Sequence, residues 1–115
     1  ELKTDYTQTL AALREALQRF PTGTVLVWHP QVQILEAAQL PRRLRAASRA
    51  APRGWLHATL HVCPPGEGGW GLTGSGVWVL NPPHTLHAAL AQALPVLVQR
   101  LGRYPGARHT LEQSG

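Results

Sequence analysis

The chain has 115 residues, a mass of 12.5 kDa and 43% apolar residues, enough for one compact unit that buries a core while leaving much of its surface exposed. Eleven Lys and Arg against six Asp and Glu give a formal charge of +5, which fits a polyanionic partner and equally a merely basic soluble protein; ten of the eleven cations are arginine. The single cysteine, Cys63, excludes a disulfide framework and a cysteine-rich zinc site and suits a reducing, cytoplasmic setting, and no apolar run approaches the roughly 20 residues that span a bilayer.

The sequence holds no methionine, and Glu1 is too bulky to follow a clipped initiator, so these residues are expected to be part of a longer translation product. Asp5 and Gln8 stand in capping-box spacing, and Leu10, Leu13, Leu17 and Phe20 recur at helical intervals, which predicts a helix over 5–19 with one buried stripe. Pro21-Thr22-Gly23 stops it. The segment Thr24–Trp28 is almost continuously apolar, as expected of a strand buried on both faces in a parallel sheet. His29-Pro30 breaks that strand, and Val32, Leu35 and Ala38 start a second helical stretch that Pro41 must kink or interrupt before Leu44 and Ala47 resume it.

Pro52-Arg53-Gly54 ends that stretch. From Trp55 to Val62 the pattern alternates, with Leu56, Ala58, Leu60 and Val62 on one side and Trp55, His57, Thr59 and His61 on a wetter face. Residues 64–71 hold two prolines and four glycines and predict a mobile loop, after which Gly74–Leu80 alternates again as the return strand of a long antiparallel hairpin. Asn81-Pro82-Pro83 then opens the longest helical pattern, with Leu86, Leu90, Leu94, Leu97 and Leu101 on one face, a local kink at Pro95 and a stop at Gly102. The tail from Arg108 adds a last short strand or frays. The expected fold class is α/β, a single partial domain over 1–115.

Two groups of residues are candidates for function. Asn81-Pro82-Pro83-His84 has the outline of the Asp/Asn-Pro-Pro-aromatic loop with which amino-methyltransferases hold an exocyclic amine, where an oxygen acceptor, a stiff proline pair and a stacking ring meet the base. The favoured reading is plainer: Asn81 caps the following helix and proline supplies its first turn. Arg42, Arg43, Arg45, Arg49 and Arg53 form the densest basic stretch, and on a helix Arg42, Arg45 and Arg49 share one face as a phosphate-sized stripe, or else a solvated one. With Lys3 these arginines are the nucleic-acid-binding candidates.

Other chemistries find little support. His57 and His61 lie about 13 Å apart along a strand, too far for one ion, and His84 and His87 have no nearby carboxylate or thiolate, so no metal is predicted. The glycines of 66–71 lack phosphate-loop spacing, and Gly74-Ser75-Gly76 is not the nucleophile elbow of a hydrolase.

Three stretches together resemble the carboxy-terminal half of the RlmJ-type family of 23S ribosomal RNA adenine methyltransferases: Glu1-Leu2-Lys3-Thr4-Asp5-Tyr6, the run from Thr22-Gly23-Thr24 through Trp28-His29-Pro30, and the run from Leu72-Thr73-Gly74-Ser75-Gly76 through Leu80-Asn81-Pro82-Pro83. The resemblance covers nearly the whole chain, continuing through Leu94-Pro95, and departs from the family at His84, where Trp is usual. It implies the later half of a Rossmann-like methyltransferase sheet ending in the hairpin and the long helix. It also implies a parent enzyme that moves a methyl group from S-adenosylmethionine to the N(6) amine of an adenine in ribosomal RNA. The family's catalytic Asp-Pro-Pro-Tyr ends just before the residue matching Glu1, and its cofactor loop lies farther upstream. The chain alone is therefore expected to hold no catalytic, cofactor-binding or metal residue, to be inactive, and to pair its open sheet edge with the missing amino-terminal half or with itself. The alternative is a stand-alone nucleic-acid-binding or dimerisation module without catalysis.

Overall fold

The computed structural model of the chain describes residues 2–32, 35–64 and 72–114. Helix α1 (Leu2–Arg19) turns at Pro21 into strand β1 (Val25–Val32); helix α2 (Leu35–Ala47) and a single 3-10 turn (Ser48–Ala50) lead into β2 (Trp55–His61). Strand β3 (Leu72–Leu80), helix α3 (Leu86–Leu101) and strand β4 (Arg108–Gln113) complete the chain. The strands form one sheet in the order β1-β3-β2-β4, and every neighbouring pair is antiparallel. The tail thus takes the strand alternative, with β4 docked on β2.

Helical periodicity decides how the layers assemble. Tyr6, Leu10, Leu13 and Leu17 of α1 and Leu40 and Leu44 of α2 bury their stripes against Val27, Trp78 and Leu80 on one face of the sheet. On the other face Leu94 of α3, flanked by Leu86 and Leu90, packs on Leu56, Ala58 and Val79. Both α2 and α3 run through their prolines, Pro41 and Pro95, as continuous helices, because the buried leucines beside each proline hold the turn that lost a hydrogen bond. Among the described residues no helix is long and apolar enough to cross a membrane.

Several expectations are corrected. The α1 helix starts at Leu2, so Asp5 lies in its first turn, where it suits the helix dipole, and not at a cap. Among the described residues β1 pairs with β3 alone, and antiparallel where a parallel neighbour was expected; Leu26 and Trp28 are 66% and 62% exposed on the face that α1 does not cover. A continuous apolar run has the same sequence signature in either setting. The supposed wet face of β2 is buried at His57 and Thr59: His57 packs against His29 and Trp78, and the Thr59 hydroxyl meets that of Thr110 on the neighbouring β4. The glycine-rich stretch lies, from residue 65 to 71, outside the described residues.

Asn81 does not cap α3, whose first turn follows Thr85. Its side chain points inward, fully buried, and holds three segments at once. The Oδ1 atom accepts the Arg53 N–H at 2.8 Å, and Nδ2 donates to the carbonyls of Pro21 and Gly23, each at 2.9 Å. Its own N–H donates to the Gly54 carbonyl at 2.9 Å, and its carbonyl accepts the Thr24 hydroxyl at 2.8 Å. The backbone is left-handed here, with φ 51°, a conformation Asn tolerates better than most residues. Replacing Asn81 by Ala leaves buried backbone groups without partners and adds left-handed strain, and is expected to lower stability by about 3 kcal/mol in urea unfolding. Asn81→Gly loses the same hydrogen bonds without the strain, so its cost should be smaller by about 1 kcal/mol.

Candidate functional site

Residues of β1 and β2 meet across β3. In the strand registers both His29 and Thr59 lie opposite Gly76, and His57 lies opposite Trp78. Gly76 carries no side chain, and a Cβ there would stand 2.4 Å from the His29 ring, so the glycine makes the space in which two imidazoles approach. Nε2 of His29 and Nε2 of His57 lie 2.9 Å apart, with ring centroids at 5.1 Å. Both rings are buried, at 3% and 7% exposure.

Burial, then the neighbouring His29, then Arg45 push the His57 imidazole down from 6.5 to about 4. His29 is lowered by burial, partly offset by a hydrogen bond to the Pro30 backbone, which for proline is the carbonyl. The tautomer that satisfies both of its contacts carries the proton on Nδ1, so that His57 donates from Nε2 to His29. His61 is lowered by burial and by Arg108. Neutral rings of this kind can pass or hold a proton. Among the described residues no three His, Cys, Asp or Glu side chains converge as a metal site.

The column of rings continues away from the pair. His57 lies 4.8 Å from the Trp78 ring, Trp78 stacks on Trp55 at 4.6 Å, and the Arg45 guanidinium sits 5.2 Å over Trp55. Arg45 is also 3.8 Å from the Glu112 carboxylate of β4. Of the basic candidates, Arg45 is the one that lies over a ring and near a carboxylate among the described residues, with its side chain still 57% exposed, and Arg42, Arg43, Arg49 and Arg53 are likewise exposed around α2 and the turn that follows. Lys3 belongs to the first turn of α1, and its side chain lies outside the described residues.

The structure joins two candidates that the sequence kept apart. Arg53, through its N–H on Asn81, sits beside Pro82, Pro83 and His84, and these residues line one shallow cleft with Gln113. The five arginines of 42–53 equal the whole net charge of +5, since the other six cations are balanced by six carboxylates. Sequence reading missed the imidazole pair; the signal was the glycine at 76, set between two strands that each place a histidine near it.

Between pH 6.5 and about 4 the unfolded chain binds a proton that folded His57 refuses, so stability should fall as pH drops through that window. The loss expected from His57 is on the order of 3 kcal/mol, and His57→Gln should flatten the dependence when urea midpoints are compared at pH 7 and pH 4.5. Gly76→Ala should cost about 2 kcal/mol, and less than about 1 kcal/mol on a His29→Ala background, in a double-mutant cycle.

A family model described as ribosomal RNA large subunit methyltransferase D, RlmJ, matches residues 1–112. Over 101 residues the chain is 35% identical to ribosomal RNA large subunit methyltransferase J of Haemophilus influenzae (strain ATCC 51907 / DSM 11121 / KW20 / Rd), and 32% identical to the protein of that name from Escherichia coli (strain K12). Each alignment takes in 88% of this chain but 34% and 35% of the relatives, so the chain spans about a third of their length. A crystal structure of protein LPL1258 from Legionella pneumophila str. Philadelphia 1 superposes with a TM-score of 0.82 at 27% identity, covering 98% of this chain and 40% of that one. With the arginine segment, the Asn81 turn and the imidazole pair all inside the matched span, the chain belongs to the RlmJ family of ribosomal RNA large subunit methyltransferases.

Proposed function

We propose that the chain is the carboxy-terminal portion of a Rossmann-like, cytoplasmic methyltransferase that modifies the N(6) amine of an adenine in large-subunit ribosomal RNA. The observation that carries this reading is the family match, which runs through residues 1–112 yet meets only about a third of each relative's length. In it, the cofactor loop and the catalytic Asp-Pro-Pro-Tyr belong to a part of the enzyme that precedes Glu1. S-adenosylmethionine, bound there, supplies an electrophilic methyl group. The residues of this chain bear no group that reacts; they stiffen one side of the sheet and hold RNA phosphates near it.

The arginine segment supports the RNA role. Among the described residues, Arg45 is the one arginine of 42–53 within ion-pair reach of a carboxylate, and Arg42, Arg43, Arg49 and Arg53 are exposed cations that suit a phosphate partner. The Asn81 clamp fixes the backbone that carries Arg53, which lowers the entropy lost when a phosphate is gripped. Lys3 adds a cation from α1. Contacts of this kind read backbone and not sequence, so they position the RNA while the adenine is chosen elsewhere in the enzyme.

A concentration of charge without a reacting group also favours a second reading, a stand-alone nucleic-acid-binding module. The two part in one experiment. Joined to the amino-terminal portion of the Haemophilus influenzae relative, the chain is expected to restore methyl transfer to unmodified 23S ribosomal RNA, and by itself to show none. Failure of the joined protein, with micromolar or tighter RNA binding by the chain alone, would select the module. In either case Arg42→Ala, Arg49→Ala and Arg53→Ala together should weaken RNA binding and reduce the slope of log affinity against log salt by roughly 2 to 3.

A further inference from the structure

We infer that Arg103, Arg108 and His61 form a second phosphate-binding group, at the end of the sheet where α1 begins, and that it grips the RNA backbone beside the adenine to be methylated. Their place beside the adenine rests on the methyltransferase reading given above; their grip on phosphate rests on where the fold carries them and on the charge around them.

Chain direction separates two cationic ends of the sheet. Helix α1, 18 residues and about 27 Å long, ends beside Pro21, whose carbonyl is held by the same Asn81 side chain that accepts the Arg53 N–H. Strand β1 then runs back along α1, so Val25 lies at the Arg53 end and Gln31 at the other. The registers carry this division across the sheet. Val25, Leu80 and Trp55 stand in one row at the Arg53 end; Gln31, Gly74, His61 and Arg108 stand in another, about 20 Å away along β2. The first turn of α1, which includes Lys3, belongs to this second end. In the proposed enzyme the reacting residues join the chain just ahead of that turn, which leaves Arg53 remote from the reaction and Arg108 on its side of the sheet.

Charge and backbone at this end suit an anion. Between Glu67 and Glu112 the sequence has no carboxylate, yet it has Arg100, Arg103 and Arg108. Among the described residues neither Arg103 nor Arg108 lies within ion-pair reach of an acid, and both are exposed. The turn that carries them is tied down: Gly102 N–H donates to the Val98 carbonyl at 2.9 Å, Arg103 N–H to the Val62 carbonyl at 2.7 Å, and Ala107 N–H to the Tyr104 carbonyl at 3.1 Å. Gly102 lets the turn fold back closely, since a Cβ there would stand 2.6 Å from Cβ of Ala107. Arg103 is thereby fastened one residue beyond His61, and Arg108 lies directly across from His61 on β4. Thr59 and Thr110, whose hydroxyls meet, share the face of that pair. After burial, Arg108 lowers the His61 imidazole further, so the ring offers a neutral N–H and adds no third cation. Two guanidinium groups and a neutral donor on fixed backbone match a phosphodiester, which accepts charge-assisted hydrogen bonds and relieves the repulsion between the cations.

Binding of a single-stranded RNA oligonucleotide by the chain, measured across a range of salt, tests the grip on phosphate. Arg103→Ala with Arg108→Ala should weaken affinity at least tenfold at low salt and reduce the slope of log affinity against log salt by about 1.5, and Arg103→Lys with Arg108→Lys should keep the slope. Removing the same number of cations from α1, by Arg14→Ala with Arg19→Ala, should change neither quantity. Circular dichroism checks that each variant is folded. An unchanged slope in the alanine pair, or an equal loss from the α1 pair, overturns the phosphate group. The place beside the adenine is tested in the chain joined to the amino-terminal portion of the Haemophilus influenzae relative. There, single-turnover methyl transfer at saturating 23S ribosomal RNA should slow at least tenfold for Arg103→Ala with Arg108→Ala and hold its rate for the α1 pair. A slowing no greater than that caused by Arg49→Ala with Arg53→Ala overturns the placement. A joined protein that transfers no methyl group fails the family reading, and the placement with it, while the phosphate group still stands or falls on the salt slope of the chain alone.

Discussion

The indole of Trp78 is the constraint on which the rest of the molecule depends. It is fully buried at the centre of the sheet, and its N–H must find an acceptor there or cost a lost hydrogen bond. Ser48 supplies it: Trp78 Nε1 donates to Ser48 Oγ at 2.9 Å, and Ser48 Oγ donates to the Leu44 carbonyl at 2.6 Å. That pair of bonds fastens the end of α2 to the middle of the sheet. Trp55 stacks on the indole and His57 packs against it, so the position of α2, the column of rings and the direction of Arg45 all follow from satisfying one buried donor.

The regular parts of this fold were legible because they rest on local periodicity. The α1 and α3 stripes and the β2–β3 hairpin emerge from spacing alone, since burial of a helix or strand face imposes its period on the chain. What was not legible depends on contacts far apart in sequence. Whether Thr24–Trp28 lies inside a sheet or at its edge is decided by neighbours, and the same apolar run serves both. Asn81 reads as a cap because Asn before a proline-led helix usually is one, and nothing local reveals that Pro21, Gly23 and Arg53 converge on its amide. The arginines were visible as a stripe, but the loss of Arg45 to Trp55 and Glu112 was not.

The clamp and the cation segment bear on each other. Asn81 gathers the turn after α1, the turn before β2 and the end of β3, all at the same end of the sheet. Arg53 is carried on one of those turns, so its cation springs from some of the most tightly tied backbone in the molecule. The imidazole pair lies farther along the same strands, beyond Trp78, where Gly74 and Gly76 thin the sheet surface. The aromatic column joins the two: His57 stands at one end of it and Arg45, whose charge helps keep that imidazole neutral, at the other.

One consequence of the charge arrangement concerns motion before contact. With five arginines concentrated on residues 42–53, along α2 and the turn before β2, the positive charge of the molecule is unevenly spread. In the field of a polyanion such a body feels a torque as well as a pull, so it turns its arginine side forward while still separated by solvent. Orientation of this kind narrows the search for a productive encounter, and added salt would weaken it at separations beyond the Debye length well before it loosened the bound complex.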